Sequence, residues 1–449
     1  MGIPTIKNAI ENIENSCIRT LNTLYPMGVP DEIYKRYWDE ITFLKKSKYV
    51  DDFEIFRRLS DETRKSTNLM QVRGTITGSF LVYLLSNGGY NPLPGHYYCK
   101  ECGYYERVDT NQMGIDLPPK NCPKCRTLLY ADGFNLPIES VWGTNGSKII
   151  STECNITAEF FPYAKRVLQT IYPKNEIVPW GMFEMPDIGN APVQARPVIG
   201  ISQMGYVIIP TGNTITDYDH LLSYLDNGEA CLTGGGWELE ESFLKPIRLF
   251  PLHTMEYLLK LQKATGIYAN ELSVKELREI TWSNLYNSTI LDQVTSSRFH
   301  EYHPKTFKDM MNLMAYGHNT YIWTTDELDS TCEFNNASKF KQMINSELFK
   351  KYPCFTREDF FEYMLSEGID RALAFEASEQ IRKGRGAATG KFSDEYFSLP
   401  IPDEIKELSK QYRYVFPRAH CVEYMLGYMK LAYYAKIDGR AYSKIVFKK

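Results

Sequence analysis

The chain has 449 residues, of which 43% are hydrophobic and 14% aromatic, so it is long enough for about two to four domains with hydrophobic cores. Its net charge of -4 excludes a globally basic surface and leaves only local patches to attract a polyanion. The first residues lack a basic segment followed by an apolar run, and no stretch approaches the ~20 apolar residues of a membrane span, so we expect a cytoplasmic protein with no membrane partner.

The first 70 residues predict helices. Apolar side chains recur there at near-helical spacing, at Ile6, Ile10, Ile13, Cys17 and Leu21. A second helix is predicted to begin after Pro30, with Asp31 in its first turn. The charge-rich run from Asp51 to Lys65 is typical of a solvated helix face, and a phosphate-contacting surface is the less favoured interpretation.

The remainder divides into two regions. Residues 71–250 combine glycine-rich turns, a cysteine-containing insert and β-rich runs at 197–202 and 206–209, which predicts a mixed α/β domain. From residue 251 to 449 helical patterns dominate. Amphipathic stretches occur there at residues 255–267, 360–372 and 420–435.

Two CxxC motifs lie within the α/β region. Cys99 and Cys102 form the first, and Cys122 and Cys125 form the second, with 19 residues between the two motifs. Each tight turn supplies two thiolates, so this spacing favours tetrahedral zinc, and four protein ligands leave no open position for catalysis. Unrelated cysteines or a redox pair are the less favoured alternatives. We predict a structural zinc ribbon, and the other six cysteines are interpreted as structural.

Several motifs occur in a collinear order over nearly the whole chain. They read NPLPGHYYC at 91–99, GIDLPPKNCPKC at 114–125, DGFNLPIE at 132–139, HPKTF at 303–307, GHNT at 317–320, IRKGRG at 381–386 and VFPRAH at 415–420. In these motifs the sequence resembles the PolC-type bacterial DNA polymerase III alpha subunit.

The resemblance implies an α+β architecture with helical regions on either side of a polymerase-like palm. The palm is a mixed α/β domain with the four-cysteine zinc ribbon inserted in it. The implied domains are a thumb-like region at 1–70, a palm-like domain at 71–250 with the ribbon at 95–135, and a fingers-like domain at 251–449.

Polymerases of this family hold two Mg²⁺ ions with carboxylates in the palm, because magnesium is a hard cation that prefers oxygen ligands. The matching positions here are Ser151, Glu153 and Arg248. Serine is a poor magnesium ligand, and arginine places a positive charge where two cations belong. The resemblance therefore implies a degenerate catalytic site, and Mg²⁺ would be a cofactor only if the protein is active.

Other carboxylates could form a compensating metal site, and two histidines could act as ligands or bases. Asp187 and the acids at 238, 240 and 241 could supply oxygens, with Glu238 and Glu240 on one face of a predicted strand, but surface positions are the simpler interpretation. His303 and His318 are more typical of structural histidines.

The resemblance also implies phosphate-binding groups. They are Arg73, Gly74 and Ser79 in the loop at 71–79, the basic group Arg382, Lys383 and Arg385, and the pair Arg418 and His420. Backbone amides and forked guanidinium groups suit phosphate oxygens. The alternatives are an ordinary loop before a helix and a solvated basic turn.

The leading hypothesis is a polymerase-derived pseudoenzyme that binds DNA or replication proteins in DNA replication. An origin in a phage or mobile element is compatible with it. One alternative is an active DNA-directed DNA polymerase fragment with a shifted metal site, and another is a protein-interaction decoy that does not bind DNA.

Overall fold

The computed structural model describes residues 2–108, 112–146, 148, 152–185, 197–287, 304–318, 320–321, 345–386 and 393–447. Ser151, Asp187 and His303 lie outside these residues. His318 is the last residue of a helix. Within the described residues no helix is long and apolar enough to cross a membrane.

The amino-terminal region is helical, as predicted. Its helices are α1 (Ala9–Leu24), α2 (Asp31–Lys46) and α3 (Val50–Ser66). Helix α2 begins directly after Pro30, whose φ of -58° suits a helix start.

The prediction of a solvated face on α3 holds for most of its charged side chains but not for the whole helix. Phe53, Phe56 and Leu59 recur at helical spacing and are buried. Glu54 is also fully buried, because its carboxylate accepts hydrogen bonds from Arg57 and Arg58 on the same helix. One acid of the charged run is therefore neutralised inside the core, and the end of the run is exposed.

A seven-stranded mixed sheet forms the centre of the α/β region. Its strands are β1 (Met70–Arg73), β5 (Glu153–Ile156), β6 (Ile177–Glu184), β7 (Gly200–Ile208), β8 (Leu222–Tyr224), β9 (Ala230–Thr233) and β10 (Lys245–Pro251), in the order β1-β5-β10-β7-β6-β9-β8. Strand β5 pairs antiparallel with β1 and parallel with β10. Helices α1, α2 and α3 share a hydrophobic cluster with this sheet.

Short helices fill the connections of this sheet. They are α4 (Phe80–Leu85), α5 (Glu139–Trp142), α6 (Phe161–Ile171) and α7 (Gly236–Glu241). The predicted strand alternation of Glu238 and Glu240 was wrong, since both lie on α7. The Glu238 carboxylate accepts a hydrogen bond from the Gly235 N–H at the start of this helix, which favours the helical turn.

The cysteine insert forms a separate small sheet. Strands β2 (His96–Tyr98), β3 (Tyr105–Arg107) and β4 (Tyr130–Asp132) are antiparallel in the order β3-β2-β4. A small cluster of buried apolar side chains supports it, formed by Tyr97, Leu117, Leu129 and Ala131 with Cys99 and Cys122.

The carboxyl-terminal region is mainly helical, as predicted. Its helices are α8 (His253–Thr265), α9 (Val274–Leu277), α10 (Trp282–Asn287), α11 (Phe307–His318), α12 (Glu347–Lys351), α13 (Arg357–Ser366), α14 (Arg371–Arg382), α15 (Ser393–Phe397), α16 (Asp403–Ser409), α17 (Arg418–Ile437) and α18 (Gly439–Val446). A two-stranded sheet pairs β11 (Thr320–Tyr321) with β12 (Tyr412–Tyr414).

Helix α17 is the centre of this region. It is buried over most of its surface and packs against α8, α9, α10 and α11. The stretch at 360–372 is divided between α13 and α14, because Gly368 takes a left-handed φ of 79° and ends the first helix. The fold is thus a mixed α/β core with a four-cysteine insert and helical regions on both sides. The domain boundaries remain a prediction.

Candidate functional site

Three charged side chains meet on adjacent strands of the large sheet. Glu153 on β5 lies opposite Arg73 of β1 and opposite Arg248 of β10. The Nε atom of Arg248 lies 3.8 Å from an Oε atom of Glu153. Glu153 and Arg248 occupy two of the three positions that the resemblance assigns to catalytic carboxylates. They are therefore neighbours and form an ion pair.

The sheet and α7 hold the Arg248 guanidinium in place. It lies over the Trp180 ring, with 5.5 Å between the guanidinium carbon and the ring centroid. It also packs against Gly236, where an added Cβ would come within 1.8 Å of the Arg248 Nη2 atom. Glycine at 236 thus makes room for a cation beside Glu153.

The loop after β1 contacts helix α17. Gly74 has a φ of 87°, which favours glycine, and its N–H donates a hydrogen bond of 3.1 Å to the Glu423 carboxylate. The His420 ring lies 3.6 Å from where a Cβ on Gly74 would be. Arg73 stacks over the Phe250 ring at 4.6 Å. The loop therefore joins the sheet to the helical region.

Glu423 is a functional-site candidate that the sequence did not reveal. It is 2% exposed, and the Asn155 side-chain amide donates a hydrogen bond of 2.7 Å to its carboxylate. Burial raises the pKa of Glu423 to about 8, although the Gly74 N–H and the Arg73 charge oppose the rise. The acid is therefore largely protonated at neutral pH.

The raised pKa of Glu423 predicts a pH-dependent stability. The folded state holds a proton that the unfolded chain releases above the usual pKa of 4.5, so the free energy of unfolding should fall as the pH rises toward 8. We expect a loss of about 2 kcal/mol between pH 6 and pH 8. Urea unfolding at both pH values should show this loss in the wild type and not in Glu423→Gln.

The glutamine variant is a suitable mimic of the protonated acid. The Asn155 Oδ1 atom is buried without a hydrogen-bond partner among the described residues. Rotating that amide by half a turn lets Oδ1 accept from a protonated Glu423 or from the side-chain amide of the Glu423→Gln variant. Equal pH dependence in the two proteins would contradict the assignment.

Ser79 has a local structural role. Its hydroxyl donates a hydrogen bond of 2.6 Å to the buried carboxylate of Glu40, and its Oγ atom accepts from the Val82 N–H at the start of α4. Both interactions turn the side chain toward α2 and α4. They leave Arg73 and Gly74 as the members of the predicted phosphate loop that lie near Glu153.

The basic group at the end of α14 lies on a turn. Gly384 has a φ of 71° and packs against the Arg413 carbonyl, which bends the chain sharply. Lys383 is exposed and Arg385 is half-buried. Arg382 is paired with Glu379 at 3.1 Å. Lys383 is therefore the member of this group that solvent reaches most readily.

Arg418 and His420 do not form the predicted second cationic patch. Arg418 is buried and paired with Asp359 at 2.9 Å and Glu362 at 2.6 Å, and it donates to the Asn135 carbonyl. Burial, followed by the nearby Arg357 charge, lowers the pKa of His420 to about 4, so this imidazole is neutral at pH 7. The charge of Arg418 is therefore neutralised by two carboxylates, and His420 carries no charge at pH 7.

The four cysteines of the insert converge, as the spacing predicts. All four Sγ atoms lie within 4.8 Å of one another. Tetrahedral zinc with Zn–S bonds of about 2.3 Å requires sulfurs about 3.8 Å apart, so the cluster fits this ion. The Thr127 hydroxyl lies 3.3 Å from Cys99 Sγ and 3.0 Å from Cys125 Sγ, where it can donate to a thiolate.

No protein-family model matches the sequence. The chain is similar to the curated protein named DNA polymerase III PolC-type from Thermotoga maritima, with 23% identity over 96% of this chain and 34% of the relative. It is also similar to the proteins of that name from Bacillus subtilis (22% identity, 96% of this chain, 32% of the relative) and Clostridium perfringens (23%, 99%, 33%). The chain thus spans about one third of the length of these relatives. The matches confirm the resemblance inferred from the motifs.

Proposed function

We propose that the chain, which is similar to PolC-type DNA polymerase III over nearly its whole length, is a catalytically degenerate polymerase homologue that acts in DNA replication by binding DNA or replisome proteins. In this proposal residues 71–250 form the palm, residues 1–70 the thumb-like region and residues 251–449 the fingers-like region. The chain matches about one third of each relative, so the proposal concerns this part of the polymerase.

The pairing of Glu153 with Arg248 carries the proposal. Two-metal nucleotidyl transfer needs several carboxylate oxygens at one point to balance two divalent cations. Two unit charges of the same sign ~4 Å apart repel by about 4 kcal/mol at an effective dielectric of 20, and a divalent ion doubles this. The fixed guanidinium, held by Trp180 and Gly236, supports loss of the paired metal site.

Primer extension tests the loss of catalysis. The purified chain, incubated with a primed template, the four deoxynucleotides and either Mg²⁺ or Mn²⁺, is expected to add no nucleotides. An unrelated active polymerase in the same buffer is the positive control. Template-dependent addition that disappears in Glu153→Ala would contradict the proposal and would support the alternative of an active polymerase with a shifted metal site.

The basic turn after α14, on which Lys383 is exposed, supports DNA binding. Replacing Lys383 and Arg385 together by alanine is expected to weaken binding of a fluorescent single-stranded oligonucleotide. The slope of log K against log salt should fall by about 0.7 for each phosphate that these side chains neutralise. The charge-matched control is Lys35→Ala with Lys350→Ala, since both lysines are exposed and lie on other elements.

The salt titration also tests the remaining hypothesis, that the protein is an interaction decoy without DNA binding. Binding that weakens steeply with salt in the wild type, and less steeply in the turn variant, supports phosphate contacts. Absent or salt-independent binding would favour a protein-interaction decoy that does not contact DNA.

The four-cysteine cluster is proposed to hold one structural zinc ion. Cys99, Cys102, Cys122 and Cys125 supply the four thiolates, so no position is left for substrate or water. When bound, zinc crosslinks the two turns of the ribbon and supplies no catalytic step.

A further inference from the structure

A cavity of about 250 Å³, which Glu153 does not line, lies between α1, the ribbon and the carboxyl-terminal helices. Its walls come from α1, from the segment at 86–91 after α4, from the end of β4, from the segment at 270–277 and from α17. Its volume is slightly below the usual range for drug-sized ligands, so it suits a small molecule.

Lys430 on α17 lines this cavity. The residue is 6% exposed, and none of the described residues accepts a hydrogen bond from its ammonium group or forms an ion pair with it. The ammonium nitrogen lies 5.7 Å from the centroid of the Tyr90 ring. A buried ammonium without an acceptor is costly, which lowers the pKa of Lys430 to about 8.

Much of the remaining wall is aromatic. The rings of Tyr83, Tyr90, Tyr130 and Phe134 line the cavity, and the Tyr90 and Phe134 rings meet edge to face with centroids 6.4 Å apart. Such walls favour a flat ring that can stack or approach edge-on.

The acids of the cavity limit the charge of a ligand. Asp132 accepts hydrogen bonds from the Asn91 side chain at 2.9 Å and from the Gly133 N–H at 2.8 Å, so both oxygens are already bonded. Glu271 is exposed at the rim. With one unpaired cation and a buried acid nearby, a singly charged anion is favoured over a dianion.

We propose that this cavity binds a small single-ring aromatic carboxylate, with the carboxylate on the Lys430 ammonium and the ring among the tyrosines and Phe134. The bound carboxylate supplies the hydrogen-bond acceptor that the buried ammonium lacks.

Calorimetric titration of the full chain with three single-ring probes tests the ligand chemistry. Benzoate is expected to bind saturably, and benzamide and phenyl phosphate should each bind about tenfold more weakly or not at all, since one lacks the charge and the other carries a second. The absence of saturable benzoate binding, or equal or tighter binding of benzamide or phenyl phosphate, would overturn the proposal.

Variants on α17 test the residue. Lys430→Met keeps all but the last atom of the side chain's length and removes an unpaired buried charge, so it should fold at least as well and bind benzoate about tenfold more weakly. Lys436→Met, on the exposed part of the same helix, should bind like the wild type. Unchanged affinity in Lys430→Met would overturn the proposal. Val274→Trp, which adds bulk at the wall, should also reduce binding independently of charge, and unchanged affinity there would overturn the placement of the ring.

Discussion

Replacing Cys122 by serine is expected to release the zinc ion and to unfold the ribbon while the large sheet stays folded. Structural zinc contributes an apparent binding free energy of about 10–16 kcal/mol in small zinc modules. Here the ribbon has three three-residue strands and a small apolar cluster that includes two of the ligands. Without the metal this cluster is too small to offset the entropy of ordering the segment.

Metal analysis and hydrogen exchange check this prediction. The wild type should contain one zinc per chain, and Cys122→Ser should contain none, with fast amide exchange over residues 96–132. Cys231→Ser is the matched control, because Cys231 is a fully buried cysteine on β9 of the large sheet. Full zinc occupancy in Cys122→Ser would show that the four thiolates do not act together.

The ribbon could be predicted from the sequence because the residues that define it are close together in the chain. Two residues between paired cysteines suffice to place both sulfurs on one turn, and the separation of the pairs allows a hairpin between them. The start of α2 was predictable for the same reason, since Pro30 and Asp31 indicate a helix start within two residues.

The charged residues inside the core could not be predicted in this way. Glu423 is hydrogen-bonded to Asn155, which lies 268 residues earlier in the chain, and no local pattern distinguishes this acid from an exposed one. The resemblance implied that Arg418 belongs to a phosphate-binding pair. Its partners Asp359 and Glu362 lie 59 and 56 residues away and become neighbours only when α13 packs beside α17.

The pairing of Glu153 with Arg248 could be predicted only in part. Their positions came from a resemblance, and the sheet places them opposite each other on parallel strands. Alternation along a strand can indicate which side chains share a face, but it cannot indicate which strands are neighbours. The segment at 236–241 shows the limit of such patterns. It has only six residues, it begins at the last of three consecutive glycines, and such a short segment fits either a strand or a short helix.

Replacing Arg418 by methionine is expected to destabilise the carboxyl-terminal region by about 3–5 kcal/mol, since removing one partner of a buried ion pair leaves its acids uncompensated. Asp359 and Glu362 would lose the guanidinium that each contacts within 3 Å. Glu358, whose carboxylate accepts the Arg418 backbone N–H, would also lose a nearby positive charge. Burial makes each of these losses larger than it would be at the surface.

Urea unfolding of Arg418→Met at pH 7 measures the loss. Lys35→Met is the control, because the Lys35 pair with Asp39 is exposed and should contribute about 0.3–0.5 kcal/mol. The same pair of variants distinguishes a structural arginine from a phosphate ligand. If Arg418 were a phosphate ligand, the variant would lose oligonucleotide affinity and keep its stability, because a guanidinium that binds phosphate is not already neutralised by two carboxylates. Unchanged stability in Arg418→Met would therefore contradict the buried ion-pair network and would support the prediction that Arg418 binds phosphate.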